Sequence, residues 1–464
     1  MSTSLQRPHE LVERALAAST ADDCVVVVEE ASSANLRWAN NTLTTNGVSE
    51  RLGVTVISLV AGAEGVAAAS LTRDASEWPA VQALVEEADA AARSAGPAGD
   101  AAPLVGPATD SDWDEPADST SVEVFTDIAP ALGEALGRAA AEGRLLYGFV
   151  QHDLSTTYLG SSSGQRRRHV QPSGHIGVTG KAADLSDSAW VGQATRDFSD
   201  VDPLALDAEL ARRLDWGRRR VALPPGRYDT VLPPAAVADL MIYAYWTAGA
   251  RAAHDGATVF SRPGGGTRVG ERISPHPVRL FSDPGHPGLE CSPFVVAAAS
   301  GPDASVFDNG LPRGRVDWVR DGELAALMTS RHSAAVAGLP LTPGVDNLVM
   351  AVDGAEGDLD DLVRGTERGL LLTCLWYIRE VDPQNLLLTG LTRDGVYLVE
   401  AGEVVGAVNN FRFNESPIDL LRRLGSASAT VPAFSREWGD YFPRTAMPAL
   451  RVPDFNMSSV SAAS

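Results

Sequence analysis

Eight histidines are the chain's most versatile acid–base and metal-binding groups: His9, His152, His169, His175, His254, His276, His286 and His332. A zinc-binding helix needs two histidines about one turn apart and a third ligand elsewhere. The closest pair, His169 and His175, is six residues apart and brackets Pro172-Ser-Gly, so no such pair exists. Each histidine reads singly as a surface or hydrogen-bonding residue. A ligand set drawn from distant positions, for example His254 with His332 and a carboxylate, stays open at this point. Cys24, Cys291 and Cys374 are odd in number and far apart, with no CxxC pair. They support neither a zinc ribbon nor a disulfide framework, and read as buried, reduced thiols.

Three local patterns resemble catalytic or phosphate-binding motifs and fail on chemistry. Gly160-Ser-Ser-Ser-Gly164 fits G-x-S-x-G, but a nucleophile elbow needs a strand before the serine and a helix after it. Here Gln165-Arg-Arg-Arg-His-Val-Gln follows, which reads as the return strand of a hairpin, so the glycines mark a turn. Gly174-His-Ile-Gly-Val-Thr-Gly-Lys181 nearly matches a phosphate loop. Its outer glycines are one residue too far apart and Ala182 stands where a metal-binding Ser or Thr belongs, so it reads as a strand. Gly264-Gly-Gly266 lacks the third glycine of a dinucleotide fingerprint, with Val269 in its place, and reads as a loop. Arg166-Arg-Arg168, the only local basic run, reads as a solvated hairpin face.

The segment from Val231 to Ala250 opens with prolines suited to a helix start and carries no charge from Leu240 to Ala250. A helix apolar all round must be covered on nearly every side. Around it, the element pattern is α+β: an N-terminal α/β layer domain, then a larger β-rich domain with this helix buried at its centre. Residues 1–95 form the N-terminal unit: a helix at Glu10–Ala18, a β-branched strand at Asp23–Ala31, a hairpin through Asn35–Gly47, strands at Val54–Val60 and Glu64–Leu71, and a helix at Pro79–Ser94. Residues 96–121 are an acidic connector rich in Pro, Gly and Ala that reads as exposed.

Residues 122–225 read as a β-meander flanked by helices at Asp127–Glu142 and Asp202–Arg220. Its short strands are expected at Leu146–Gln151, Thr156–Leu159, Arg168–Gln171, Ile176–Thr179 and Ala189–Val191. Residues 226–464 are the C-terminal domain. It is dense in Gly and Pro over 255–315, with covered strands at Asn347–Val352 and Gly369–Ile378 and a hairpin over Gly395–Gly406 turning at Glu400-Ala-Gly-Glu.

With 464 residues, 60 acidic and 38 basic side chains and a net charge of -22, the chain can bury large cores but offers no basic face for nucleic acid or an anionic membrane. No run of about 18 apolar residues spans a bilayer. Met1-Ser-Thr-Ser-Leu-Gln-Arg-Pro lacks the basic start and apolar core of a signal peptide, so a cytoplasmic protein is expected.

Several stretches, taken in order, resemble the TldD/PmbA family, specifically its TldE (PmbA) branch. They are the hairpin through Trp38-Ala-Asn-Asn-Thr-Leu with Gly53-Val-Thr-Val, the turn at Tyr158-Leu-Gly-Ser-Ser-Ser-Gly, and Phe307-Asp-Asn-Gly-Leu-Pro312. The strongest match runs from Thr366 through Leu375-Trp-Tyr-Ile-Arg-Glu-Val-Asp-Pro383 to Thr389-Gly-Leu-Thr-Arg-Asp-Gly395 and Val405-Gly-Ala-Val-Asn-Asn-Phe-Arg-Phe413.

The resemblance implies a pair of subunits. TldD-type chains carry His-Glu-x-x-x-His on a helix and complete a zinc site with a C-terminal cysteine. TldE-type chains lack these ligands and pair with them in a peptidase that takes unfolded or flexible peptides. The zinc motif would fall here on Ile242, Tyr243 and Thr247, none of which binds zinc readily, and no cysteine lies beyond Cys374.

The resemblance therefore implies no catalytic residue and no cofactor in this chain, zinc in the partner subunit, and a hetero-oligomer with a TldD-type homologue. This chain would scaffold that partner and line part of a peptide channel, with Tyr377, Arg379, Asp382, Asn410 and Arg412 as lining candidates. The alternatives are a self-contained hydrolase with unconventional ligands and a homo-oligomeric peptide-binding protein.

Overall fold

In the computed structural model, residues 7–461 are described. The reading of the first residues as lacking a signal peptide rests mostly on positions 1–6, outside the described residues. The fold is α+β, and three sheets carry it. The first is antiparallel but for one short parallel pairing: β1 (Asp23–Ala39), β2 (Thr42–Gly62) and β3 (Gly65–Asp74) join, through β1, to β5 (Arg144–Ser161), β6 (Gln165–Ala182) and β7 (Ser188–Thr195). A two-residue strand, β4 (Ala108–Thr109), runs parallel to the start of β6. Strands 23–74 and 144–195 thus share one sheet, with β1 paired along its length to both β2 and β5.

The valine run of β1 reads as continuous because both of its faces are covered. Cys24, Val26 and Val28 pack under helices α1 (Pro8–Ala18) and α2 (Trp78–Ser94). Val25 and Val27 face Phe294, Val306 and Phe307 from the C-terminal half. Helices α3 (Ala129–Ala141) and α4 (Pro203–Trp216) cover the far end of the sheet.

The four short strands expected between 146 and 179 are instead two strands of 18 residues each, β5 and β6. Pro172, which falls between two of the expected strands, sits inside β6. Its missing N–H is tolerated because β7 pairs with β6 only from Gly174 onward and β4 only at Gln165 and Arg166, leaving that stretch of the outer edge unpaired.

The connector is docked rather than free. Asp110 accepts from Arg167 Nε at 3.0 Å, Asp112 from Arg168 at 2.9 Å, and the Glu115 carbonyl from Tyr158 at 2.7 Å. The basic run at 166–168 is therefore not a solvated face. Arg166 pairs with Glu13, and the side chain of Arg168 is only 5% exposed.

Helix α5 (Pro234–Trp246) lies between the other two sheets, a six-stranded one including Val278–Ser282 and Leu348–Val352 and a ten-stranded one. Its side chains share one core with Val278, Leu280, Trp318 and Met350 of the former and Leu370, Leu388, Leu398 and Phe413 of the latter. Two sheets gripping one helix explain its all-round apolarity. Val231 and Leu232, expected to lead into it, instead end the strand Gly226–Leu232, and Pro233 is the N-cap.

The covered strand expected over Gly369–Ile378 is also divided. Arg368–Leu372 lies inside the ten-stranded sheet, whereas Leu375–Asp382 forms its edge. The chain breaks at Thr373, whose hydroxyl donates to the Gly395 carbonyl at 3.2 Å. The hairpin over Val396–Val408 turns where expected, with Ala401 at φ 50° and Gly402 at φ 82°, the left-handed pair that tight hairpins require.

Candidate functional site

The C-terminal half of α5, the edge strand Leu375–Asp382 and residues 434–442 meet at one place. Ile242 is fully buried in the central core. Tyr243 is half-buried, its ring edge-on to Trp438 at 5.8 Å. Burial, with the neighbouring Glu380 carboxylate adding to it, raises the Tyr243 phenol above its usual range, so the oxygen stays protonated and a poor metal ligand. Thr247 caps the helix, its hydroxyl donating to the Tyr243 carbonyl at 2.8 Å. An aliphatic side chain, a protonated phenol and a hydroxyl committed to its own helix do not fit a zinc ion.

One turn earlier, Asp239 is the single acid of this apolar helix and is fully buried. It accepts from the Ser435 hydroxyl and from the Glu437 backbone N–H at 2.9 Å, while its own carbonyl accepts from Trp438 Nε1, also at 2.9 Å. Its second carboxylate oxygen is buried without a partner. Burial outweighs these hydrogen bonds and pushes the carboxyl up to about 7.

Glu437 continues the link outward. Its carboxylate accepts from the backbone N–H groups of Tyr377 at 3.0 Å and Ile378 at 3.2 Å, and from Arg379 at 3.2 Å. The edge strand is thus blunted where a neighbour would pair. Two of its amides are taken by a carboxylate, Tyr377 stands at φ 51°, and its ladder to the next strand is irregular between Trp376 and Arg379.

The five lining candidates divide. Arg379 lies opposite Thr389, and Arg412 donates to the Thr389 hydroxyl at 3.3 Å, so these two cations flank one residue next to Tyr377, which is 53% exposed. Asp382 accepts from Gln384 N at 3.0 Å and Asn385 Nδ2 at 2.6 Å, which makes it the cap of the turn that follows. Asn410 lines a different cleft.

Sequence reading missed Asp239, Glu437 and Trp438. A lone acid in an uncharged helix was a visible signal for Asp239. Glu437 had none, because only the tertiary fold carries it to the strand edge.

The other sequence candidates take structural places. Gly160–Gly164 turns from β5 to β6, Gly174–Lys181 lies along β6, and Gly264–Gly266 is a loop of positive φ. Among the described residues, no three His, Cys, Asp or Glu side chains are placed to share a metal ion, His254 and His332 included. The three cysteines are free and buried, and burial raises Cys24 to about 12 and Cys291 to about 11. No helix of the described residues is long and apolar enough to cross a membrane.

Residues 225–459, more than half of the chain, match the family model of the PmbA/TldA metallopeptidase C-terminal domain, and residues 24–93 match that of PmbA/TldA metallopeptidase domain 1. The chain belongs to the PmbA/TldD family. A comparison with curated proteins found no match.

Among solved structures, the fold is shared with TldE from Thermococcus kodakarensis at 16% identity and TM-score 0.74, covering 96% of this chain and 98% of that one. It is shared equally with a protein from Thermotoga maritima described as a modulator of a DNA gyrase, at 16% identity and TM-score 0.74 over 96% of this chain and 99% of that one. A Bacteroides thetaiotaomicron protein with a similar description matches at 14% identity and TM-score 0.74, over 97% and 98%. At these identities the likeness is one of fold. The family models place the α5 site inside the PmbA/TldA C-terminal domain.

Proposed function

We propose that this chain is a non-catalytic, TldE-type subunit of a cytoplasmic zinc metallopeptidase complex that processes unfolded or flexible peptides. The zinc sits in a TldD-type partner. This chain scaffolds that partner and lines part of the peptide channel.

The observation that carries this reading is the content of α5. Where the TldD-type motif would place two imidazoles and a general base, this helix has Ile242, Tyr243 and Thr247, so the Lewis acid and the base that activate water must come from another chain. The exposed surface beside it suits a peptide with little sequence preference. Tyr377 and Val381 offer exposed apolar contact, and Arg379 and Arg412 offer donors.

The test is co-expression with a homologue bearing the zinc motif, followed by an assay on a casein-like unstructured substrate. Cleavage by the mixture, with none by this chain alone, supports the reading. Full activity of the homologue without this chain, together with failure to co-purify, would overturn it.

A further inference from the structure

A second cleft, of about 590 Å³, opens where the first sheet meets the ten-stranded one. Its walls come from the end of β6, the start of β7, helix α4 and the strands Val396–Glu400 and Glu403–Val408. Its size falls in the range of small-molecule sites. In a chain with a net charge of -22, this cleft is lined by four basic side chains and only two acidic ones.

Both acids are engaged. Asp187 accepts from Arg220 at 2.7 Å, and Asp394 accepts from the Ser188 hydroxyl. Arg213 is held by Glu209 at 2.6 Å. Lys181 and Arg393 are held more loosely. Lys181, the only lysine in the sequence, has no carboxylate within ion-pair distance among the described residues and only the Tyr147 ring, 5.5 Å from its ammonium. Arg393 stands 3.6 Å from Asp394, and its Nε is buried without a hydrogen bond. The Asn409 amide nitrogen is likewise buried and unpartnered, its oxygen already accepting from Leu223 N at 2.8 Å.

Four basic side chains around one cavity, against two acids that are already engaged, favour an acceptor-rich ligand. Backbone strain gathers at the same place: Leu185 and Asp394 both line the cleft and both hold positive φ, 61° and 53°.

We propose that this cleft binds an oxyanion, a carboxylate or phosphate group on a small organic body, with Lys181 and Arg393 as its charged contacts. The apolar wall of Val396, Tyr397 and Val408 would receive the body. Neither the zinc chemistry nor the partner proposed above enters this argument.

The single lysine makes the test direct on the full, unaltered chain. Acetylation of Lys181 by an amine-reactive ester is followed by mass spectrometry, with the α-amino terminus as internal control. The probes are inorganic phosphate, a short peptide with a free C-terminal carboxylate, the same peptide amidated, and sodium chloride at matched ionic strength.

Phosphate or the free-carboxylate peptide, at roughly ten times its Kd, should slow Lys181 acetylation about tenfold and leave the terminus unchanged. Which of the two protects distinguishes a phosphate ligand from a peptide end. Arg393→Ala should abolish that protection while Lys181 still reacts. Protection by neither oxyanion, or equal protection by the amidated peptide or by salt, would overturn the proposal.

Discussion

Tyr243 stands where the resemblance puts a general base, and its surroundings show why changing it alone would achieve nothing. Its neighbours along the helix are fully buried Ile242 and capping Thr247, so Tyr243→Glu adds one carboxylate near Glu380 to a place without an imidazole or thiolate. That variant should bind no more zinc than the parent, read by metal analysis after dialysis. Glu437 matters more to stability, since its buried carboxylate holds two backbone amides and Arg379. Glu437→Ala leaves those amides unpaired and should cost about 1–3 kcal/mol in urea unfolding.

Asp239 makes folding depend on pH. Its carboxyl lies at about 7 in the folded chain against 3.8 for an ordinary aspartate, so folding takes up a proton between these values. The stabilisation from that proton is full below the lower value, falls as pH rises through the window, and is gone above the upper one. Asp239→Asn keeps an acceptor for Ser435 and Glu437 without the titration. The stability of the parent relative to this variant should decline from acidic to neutral pH; a constant difference would contradict the assignment.

At the scale of elements, α5 is where sequence and structure agree most closely, because a helix with no charge from Leu240 onward has few places to go except between two sheets. Ile242→Ala should cost about 2–5 kcal/mol, measured by chemical denaturation, since both sheets close on that position. The hairpin at 400–403 was equally legible, its turn chemistry being local. The long strands β5 and β6 were not, because the residues between the expected short strands, Pro172 among them, take their place in a strand only through what pairs beside them. The division at Thr373 was hidden for a similar reason. Leu370 and Leu375 are both fully buried and look alike in sequence, and only the sheet order separates an inner strand from an edge. The candidate site was half legible for the same cause. Arg379 and Arg412 flank Thr389, whereas Asp382 caps a turn and Asn410 faces another cleft.

At the scale of the molecule, the family models and the shared fold place this chain among the PmbA/TldD proteins, while the side chains of α5 set it apart from a zinc-bearing member. The division of labour proposed for it is a matter of whole chains, because the missing imidazoles cannot be supplied by any small adjustment between two packed sheets. Zinc content measured on the chain purified alone, alongside peptidase activity with and without the zinc-motif homologue, tests this most directly. The account predicts no stoichiometric zinc and no cleavage for the lone chain, with both present in the pair. Stoichiometric zinc accompanied by peptidase activity in the lone chain would contradict it.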